Sequence, residues 1–430
     1  MGHIVLKREF INWEKLDNTA NIFPVIAGDK MTNTFRICTI LKEEVNPELL
    51  QEALDIVLPK FPGFNLRLRT GVFWYYFEEN GKKAPKVYEE YSYPCRLIRP
   101  NRNRSYLFSV SYYKNRINLE AFHALTDGMG GVGFLREITY QYLRLRYPDL
   151  REKYGDGLSD ETSLDREDSF LKNYRRDNVG GYKTKRAYII KGEKLPFNGF
   201  GTMVGILPVH EIKDISKHKY KTSINTYIVG CYIYAAYLNY RGNITKDKPI
   251  RVAVPVNLRP FFGSNTTKNF FVMISAEFYP KKNDYTFEEI MEITKESIDS
   301  QKTKENLESI FSYNVSNQDL FVARAVPLPL KNMAMKFVYT RAALANTTTI
   351  TNIGNVKVLP GYDEYIKGFY CLLPFSKGQE LKAAVTSYGD TMFIGFSTGY
   401  VDNSLEKEFF RQMSKDGIKV SIETNGVFYR

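Results

Sequence analysis

The stretch RINLEAFHALTDGMGGVGFLREI, Arg116 to Ile138, constrains the fold more than any other. Its first seven residues read as a strand. After Gly131 the apolar period changes, with Val132, Leu135, Ile138, Tyr142 and Leu145 recurring at helical spacing. A strand, a tight glycine-rich turn and a helix are therefore expected in succession. The turn holds a histidine, His123, and an aspartate, Asp127. Histidine is the side chain best matched to proton transfer near neutral pH. Asp127 is expected to order the turn and hold the imidazole in one orientation. Gly128 is expected to let the chain reverse without a Cβ penalty.

Similar signals on either side of this stretch indicate an α/β chain. TFRICTIL (34–41) reads as a strand, and Asn46 with Pro47 opens a helix that stops before Pro62 and Gly63. VFWYYFEE, PCRLIR, SYLFSVSYY and RINLEAF read as a meander. Residues 151–185 are acidic, polar and poor in apolar side chains, marking a linker or crossover between two halves, 1–150 and 186–430. In the second half, strands are expected at FGTMVGILP, IRVAVPVNL, FFVMISAEFY, TITNIGNVKVL and FYCLLPF. A hairpin is expected around Tyr388–Gly389–Asp390. Ser223 caps an apolar helix containing Cys231, Thr286 and Glu289 form a capping box, and a last helix spans 404–415.

Composition narrows the function. The 430 residues are 43% hydrophobic and 25% charged, the profile of a globular protein with sizeable cores. The net charge of +12 raises nucleic-acid binding, but Lys and Arg are dispersed and form no basic run. Even RLRTGVFWYYF, which interleaves base and aromatic, is first of all strand chemistry. Attraction of an anionic ligand, such as the phosphates of coenzyme A, is a second use of the charge. Cys38, Cys95, Cys231 and Cys371 lie far apart, giving neither zinc spacing nor a disulfide framework, so no metal is expected. The N-terminus has no apolar signal region and Tyr227–Leu238 is too short to span a bilayer, so a cytoplasmic location is the expectation.

Gly128, Gly130 and Gly133 also read G-x-G-x-x-G, the dinucleotide pattern. A nucleotide fold would then supply a second parallel strand and an acidic residue about twenty positions on. The polar segment that follows offers neither, so the glycines are better read as letting a helix pack closely on a sheet. Of the other histidines, His3 is terminal, and His210 and His218 lie on a charged stretch.

HALTDG fits HxxxDG, and on it the chain resembles the chloramphenicol acetyltransferase-like superfamily, which includes alcohol acetyltransferases, wax ester synthases and condensation domains. ALDIVLPKFPGFNLRLRTGVFW, KTSINTYIVGCYIYAAYLNY, VPVNLRPFFG and TTTITNIGNVKVLP are similar to further segments of it, extending the likeness over most of the chain. The chain departs from condensation domains and many wax ester synthases in having HA where they begin HH, and it lacks the plant motif DFGWG.

The resemblance implies two similar α/β halves, each a mixed sheet with flanking helices, with an active-site tunnel between them. It implies His123 as general base for acyl transfer from acyl-coenzyme A, a co-substrate rather than a bound cofactor, to a hydroxyl or amine of a small or lipophilic acceptor. Asp127 would pair with an arginine, Arg259 first and Arg67 or Arg69 as alternatives. Thr351, Asn352 or Asn257 would stabilise an oxyanion or close a strand end. An acidic acyl carrier protein as donor, or a non-catalytic binding protein of the same fold, are the other readings. A monomer is expected, since two halves in one chain can complete the site.

Overall fold

The computed structural model describes residues 13–177, 185–245, 247–319 and 326–426, so His3 and the last part of the expected crossover lie outside the described residues. The chain runs through β1 (Trp13–Lys15), α1 (Phe23–Ile26), β2 (Thr34–Leu41), α2 (Pro47–Val57), β3 (Leu66–Thr70), β4 (Tyr75–Glu79) and β5 (Tyr88–Glu89). β6 (Phe108–Tyr113), β7 (Arg116–Phe122), α3 (Gly128–Arg146), α4 (Pro148–Tyr154) and α5 (Ser169–Asn173) follow. Next come β8 (Gly201–Pro208), α6 (Val209–Asp214), α7 (Ile224–Tyr240), β9 (Ile250–Asn257), α8 (Arg259–Phe262) and β10 (Phe271–Phe278). Three helices, α9 (Phe287–Asp299), α10 (Lys304–Asp319) and α11 (Leu328–Ala343), precede β11 (Thr348–Asn355) and β12 (Ile366–Leu372). The chain closes with β13 (Leu381–Tyr388), β14 (Thr391–Thr398), α12 (Ser404–Lys415) and β15 (Ser421–Thr424).

Local chemistry accounts for many of these bounds. The Asn46 side chain accepts from Leu49 N–H at the start of α2, and the Ser223 hydroxyl accepts from Thr226 N–H at the start of α7. Thr286 and Glu289 form a reciprocal capping box on α9. The segment PCRLIR, expected as a strand, is irregular. Cys95 takes a positive φ of 59°, its N–H donates to the Glu120 carboxylate and its carbonyl accepts from Thr32, so it cannot join a ladder.

Two main sheets organise the chain. A five-stranded sheet has the order β12-β2-β7-β6-β5 and is covered by α2 and α3. A seven-stranded sheet has the order β10-β9-β11-β13-β14-β8-β15 and packs one face on α7, α9 and α12. A small third sheet, β1-β4-β3, lies beside the first. β12 comes from the second half of the sequence but pairs antiparallel with β2 in the first half's sheet. It also packs against β13 and β14, where a Cβ on Gly395 would lie 2.6 Å from the Cys371 carbonyl oxygen, so only glycine permits this approach.

The described part of the crossover, residues 151–177, is largely exposed yet anchored at both ends. Ser159 donates to the buried Glu137 on α3, Thr267 N–H and hydroxyl donate to the Asp165 carbonyl, and Arg166 pairs with Glu14.

Strand alternation divides the seven-stranded sheet chemically. Val252, Val254 and Val256 on β9, with Leu381, Ala383 and Val385 on β13, point into the helix-covered core. The alternate positions, among them Phe271 on β10, Thr351 on β11 and Lys382 on β13, point to the other face, towards the five-stranded sheet. Ala384, next on that face of β13, belongs to the first half's core.

Candidate active site

His123 follows the last residue of β7, where its N–H donates to the Asn33 carbonyl at 2.8 Å. Three aromatic rings surround the imidazole. Phe23 of α1 stacks on it with centroids 4.5 Å apart, Phe35 of β2 meets it edge-on at 5.1 Å, and Phe271 of β10 tilts against it at 5.8 Å. The ring therefore sits where the N-terminal segment, the first sheet and the second sheet meet.

One hydrogen bond sets the tautomer. His123 Nδ1 lies 3.0 Å from Asn269 Oδ1. The Asn269 amide nitrogen is committed elsewhere, donating to Asp17 Oδ2 at 3.0 Å and to the His123 carbonyl at 3.2 Å. Its oxygen must therefore accept, which makes Nδ1 the protonated nitrogen and leaves the Nε2 lone pair free. Nε2 has no hydrogen-bond partner among the described residues. Asp17 is itself fixed by accepting from Ala20 N–H at 2.7 Å and from Asn269 N–H at 3.2 Å. A chain Asp17–Asn269–His123 thus aims the imidazole.

Burial sets the charge states here. It holds His123 below its usual value, opposed mainly by the charge of Asp127, while Lys382 adds to the lowering. Burial also raises the Asp17 carboxyl to about 6, against the hydrogen bonds from Asn269 and Ala20. Lys382 is driven down to about 7 by burial. Its ammonium nitrogen donates to the Ser376 hydroxyl, and no carboxylate pairs with it among the described residues.

Asp127 is engaged differently. Its carboxylate forms a two-pronged ion pair with Arg259, at 2.8 Å from Nη1 to Oδ2 and 3.1 Å from Nη2 to Oδ1. It also accepts from Met129 and Gly130 N–H, capping α3, and from Phe270 N–H. The guanidinium is saturated further by the carbonyls of Thr266 and Lys268 and by Asn257 Oδ1. Residues 266–270 therefore clasp the turn, with Asn269 on the histidine and Phe270 on the aspartate. The expectation that Asp127 itself holds the imidazole is corrected: the two share no hydrogen bond, and Asn269 performs that task.

The other expected residues separate into those near the site and those away from it. Gly128 is the first residue of α3 with φ outside the positive range, so its expected role in reversing the chain does not hold; a Cβ there would lie 3.3 Å from Ile353. Arg67 and Arg69 both pair with Glu78 in the small sheet, which excludes them as partners of Asp127. Asn257 Oδ1 is occupied by Arg259, and Asn352 Oδ1 accepts from Gly354 N–H at an irregularity of β11, so both oxygens close local backbone. Thr351 keeps a hydroxyl without a partner among the described residues and stands on the face of β11 opposite the helix-covered core. His210 pairs with Asp390 on the surface, and His218 lies near Asp214.

The glycine pattern is packing. A Cβ on Gly130 would meet the Thr267 carbonyl at 2.6 Å, and one on Gly131 would meet Ile37 at 2.9 Å, whereas Gly133 is open. The helix N-terminus that would receive a pyrophosphate is filled by the Asp127 carboxylate, and β7 has only antiparallel neighbours. The four cysteines are buried and free, and no group of three acidic, Cys or His side chains could hold a metal among the described residues. No helix among them is long and apolar enough to cross a membrane.

Sequence reasoning missed Asp17, Phe23, Asn269 and Lys382. Asp17 lies in LDNTA, whose Asp-Asn-Thr run signals a turn but no chemistry, and Asn269 precedes a strand with no motif of its own.

Comparison with known proteins places this geometry. Residues 268–401 match the family described as the WS/DGAT C-terminal domain. No curated protein matches the chain. Among solved structures, the TRI3 trichothecene 15-O-acetyltransferase of Fusarium sporotrichioides is 10% identical with a TM-score of 0.61, the alignment covering 94% of each chain. TRI101 of F. sporotrichioides, complexed with coenzyme A and T-2, is 11% identical with a TM-score of 0.60, covering 94% of this chain and 99% of that one. The condensation domain of the monacolin K polyketide synthase MokA is 10% identical with a TM-score of 0.57, covering 94% and 97%. The fold is that of the chloramphenicol acetyltransferase-like superfamily, an acyltransferase-type fold of two α/β halves.

Proposed function

We propose that the protein transfers an acyl group, acetyl in the simplest case, from acyl-coenzyme A to a hydroxyl of a small or lipophilic acceptor, with His123 as general base. The observation that carries this reading is the free Nε2 of a half-buried imidazole whose Nδ1–H is fixed by Asn269, where the two halves of an acyltransferase-type fold meet. An amine acceptor fits the same chemistry.

The steps follow from that nitrogen. Nε2 takes the acceptor's proton as its oxygen attacks the thioester carbonyl, giving a tetrahedral oxyanion and an imidazolium. Collapse expels the coenzyme A thiolate, which regains the proton from Nε2, so ester and free thiol leave and no acyl-enzyme forms. Desolvation lowers the proton affinity of the imidazole, which favours the base form near neutrality. Thr351, with its unpartnered hydroxyl, is the donor we assign to the oxyanion. Asp127 and Arg259 shape the turn that presents His123, and Gly128 lets Ile353 approach the start of α3. The reading takes residues 1–150 and 186–430 as the two halves, 151–185 as their crossover, and a monomer as the working unit.

The net charge of +12 and the condensation-domain neighbours favour a second donor, an acidic acyl carrier protein. The test is free-thiol release from acetyl-coenzyme A with a panel of alcohols and amines, comparing wild type with His123→Ala. Acceptor-dependent release that the variant loses supports the reading. Release from an acylated carrier protein alone transfers it to the second donor, and equal release by His123→Ala overturns the base assignment.

A further inference from the structure

Helix α11 turns an apolar stripe to solvent. Leu330, Met333 and Phe337 recur at helical spacing and are 61%, 72% and 61% exposed, with Val338 beside them at 65%. An exposed row of this kind on a globular protein marks an interaction surface. The stripe continues onto a second element. Leu328 N–H donates to the Val72 carbonyl, and the Lys331 ammonium donates to the Phe73 carbonyl, fastening the β3–β4 hairpin tip to the start of the helix. That tip presents Val72, 70% exposed, and Trp74, 46% exposed.

The charge along the helix is of one sign. It carries Lys331, Lys336 and Arg341 and no Asp or Glu. Lys331 and Lys336 flank the stripe on opposite sides of the helix, and the Arg341 guanidinium lies 4.9 Å over the Phe337 ring. Aliphatic and aromatic side chains facing out, an exposed Trp on the hairpin tip fastened to the helix and basic side chains along both flanks suit contact with an anionic bilayer surface. A protein partner of matching character would need acidic side chains ringing an apolar groove, whereas a bilayer supplies both halves of that chemistry in one plane.

The inner face of α11 touches the site. It packs on residues 20–26, the segment that carries Phe23 and receives the Asp17 cap. Tyr339, also on α11, lies beside Ser376, the hydroxyl that accepts from Lys382. The outward stripe is thus linked to His123 through the 20–26 segment, whose Phe23 stacks on the imidazole.

We propose that α11 and the β3–β4 tip dock the protein on an anionic membrane surface, beside the entrance through which a membrane-dissolved hydroxyl acceptor reaches His123. Docking stands on the surface alone; the acceptor route rests on the acyl-transfer reading.

Co-sedimentation of the full chain with vesicles tests it, using phosphatidylcholine alone and phosphatidylcholine mixed equally with phosphatidylglycerol. Binding to the mixed vesicles is expected to be at least about tenfold tighter, and weakened by added salt. The Met333→Glu/Phe337→Glu double variant changes only exposed side chains, so it should keep the wild-type thermal midpoint and lose at least about tenfold in vesicle binding. Equal sedimentation of wild type and variant overturns the proposal. So does a dimer without vesicles that the double variant dissociates, which assigns the stripe to a second copy. Since vesicle binding needs no turnover, docking without thioester consumption refutes the acyl-transfer reading alone, and consumption without docking refutes this one alone.

Discussion

Two polar side chains of the HALTDG turn, four residues apart, are treated in opposite ways. Asp127 is saturated: two prongs of Arg259, two helix N–H groups and Phe270 N–H fill its oxygens, with only 7% of its side chain exposed. His123 is half satisfied, with Nδ1 fixed by Asn269, Nε2 left unpartnered and three rings excluding water from its faces. A buried polar group that is fully paired stabilises one geometry, while a half-buried lone pair left unpaired is held ready to accept a proton. The same five residues, 266–270, serve both, so the second half of the chain builds the clasp and aims the base.

The sharpest way to break this contrast is to remove each member. His123→Ala should lower kcat/KM by about a thousandfold or more in the thiol-release assay, with a loss of stability from the vacated ring contacts and the Asn269 bond that is smaller than that of breaking the Asp127 ion pair. Asp127→Ala should cost more in stability. Breaking a buried ion pair costs about 3–5 kcal/mol, which denaturant unfolding will read, and any loss of activity should follow the loss of fold. Arg259→Gln should cost a similar amount. Because the two residues share one interaction, the double variant should cost clearly less than the sum.

Smaller effects separate aiming from acting. Asn269→Leu removes the acceptor of Nδ1–H without removing the base, so kcat should fall about ten- to hundredfold with KM nearly unchanged. An unchanged kcat would show that the rings alone hold the imidazole. The pH profile tests the electrostatics. The base form of His123 is present above its pKa, so activity should hold as pH falls until the lowered value is reached, with the midpoint of the acid limb below 6.5. Lys382 lowers that value, so Lys382→Met should move the acid limb upward, by about a few tenths of a pH unit. A downward movement would show that Lys382 acts on another group.

The regularity of the chain was largely written locally. The bounds of β2, β7, β9 and α12, the Asn46 and Ser223 caps, the Thr286 box and the hairpin at Gly389 follow from side-chain period and from residues that satisfy helix ends or turns within a few positions. The helices α10 and α11 were not legible. α10 is polar with a weak stripe, and α11 is apolar on both its inner and outer faces, so neither shows a clean amphipathic period.

At the site, the glycine-rich turn by itself pointed to His123 as the candidate base, and the family resemblance supplied the ion pair of Asp127 with Arg259 that the structure contains. Only the tertiary structure decided what aims the base. Asn269 and Asp17 lie 146 and 106 positions from His123, and their amide and carboxylate are ordinary polar residues until packing brings them together. The entry of β12 into the first half's sheet was equally invisible, because pairing between segments more than three hundred residues apart leaves no local signal, and the room for β12 against β14 depends on a close approach at Gly395. Caps, turns and periods act over a few residues and can be read from order alone. Which lone pair is left free depends on every neighbour that could have filled it, and that is settled only when the chain is folded.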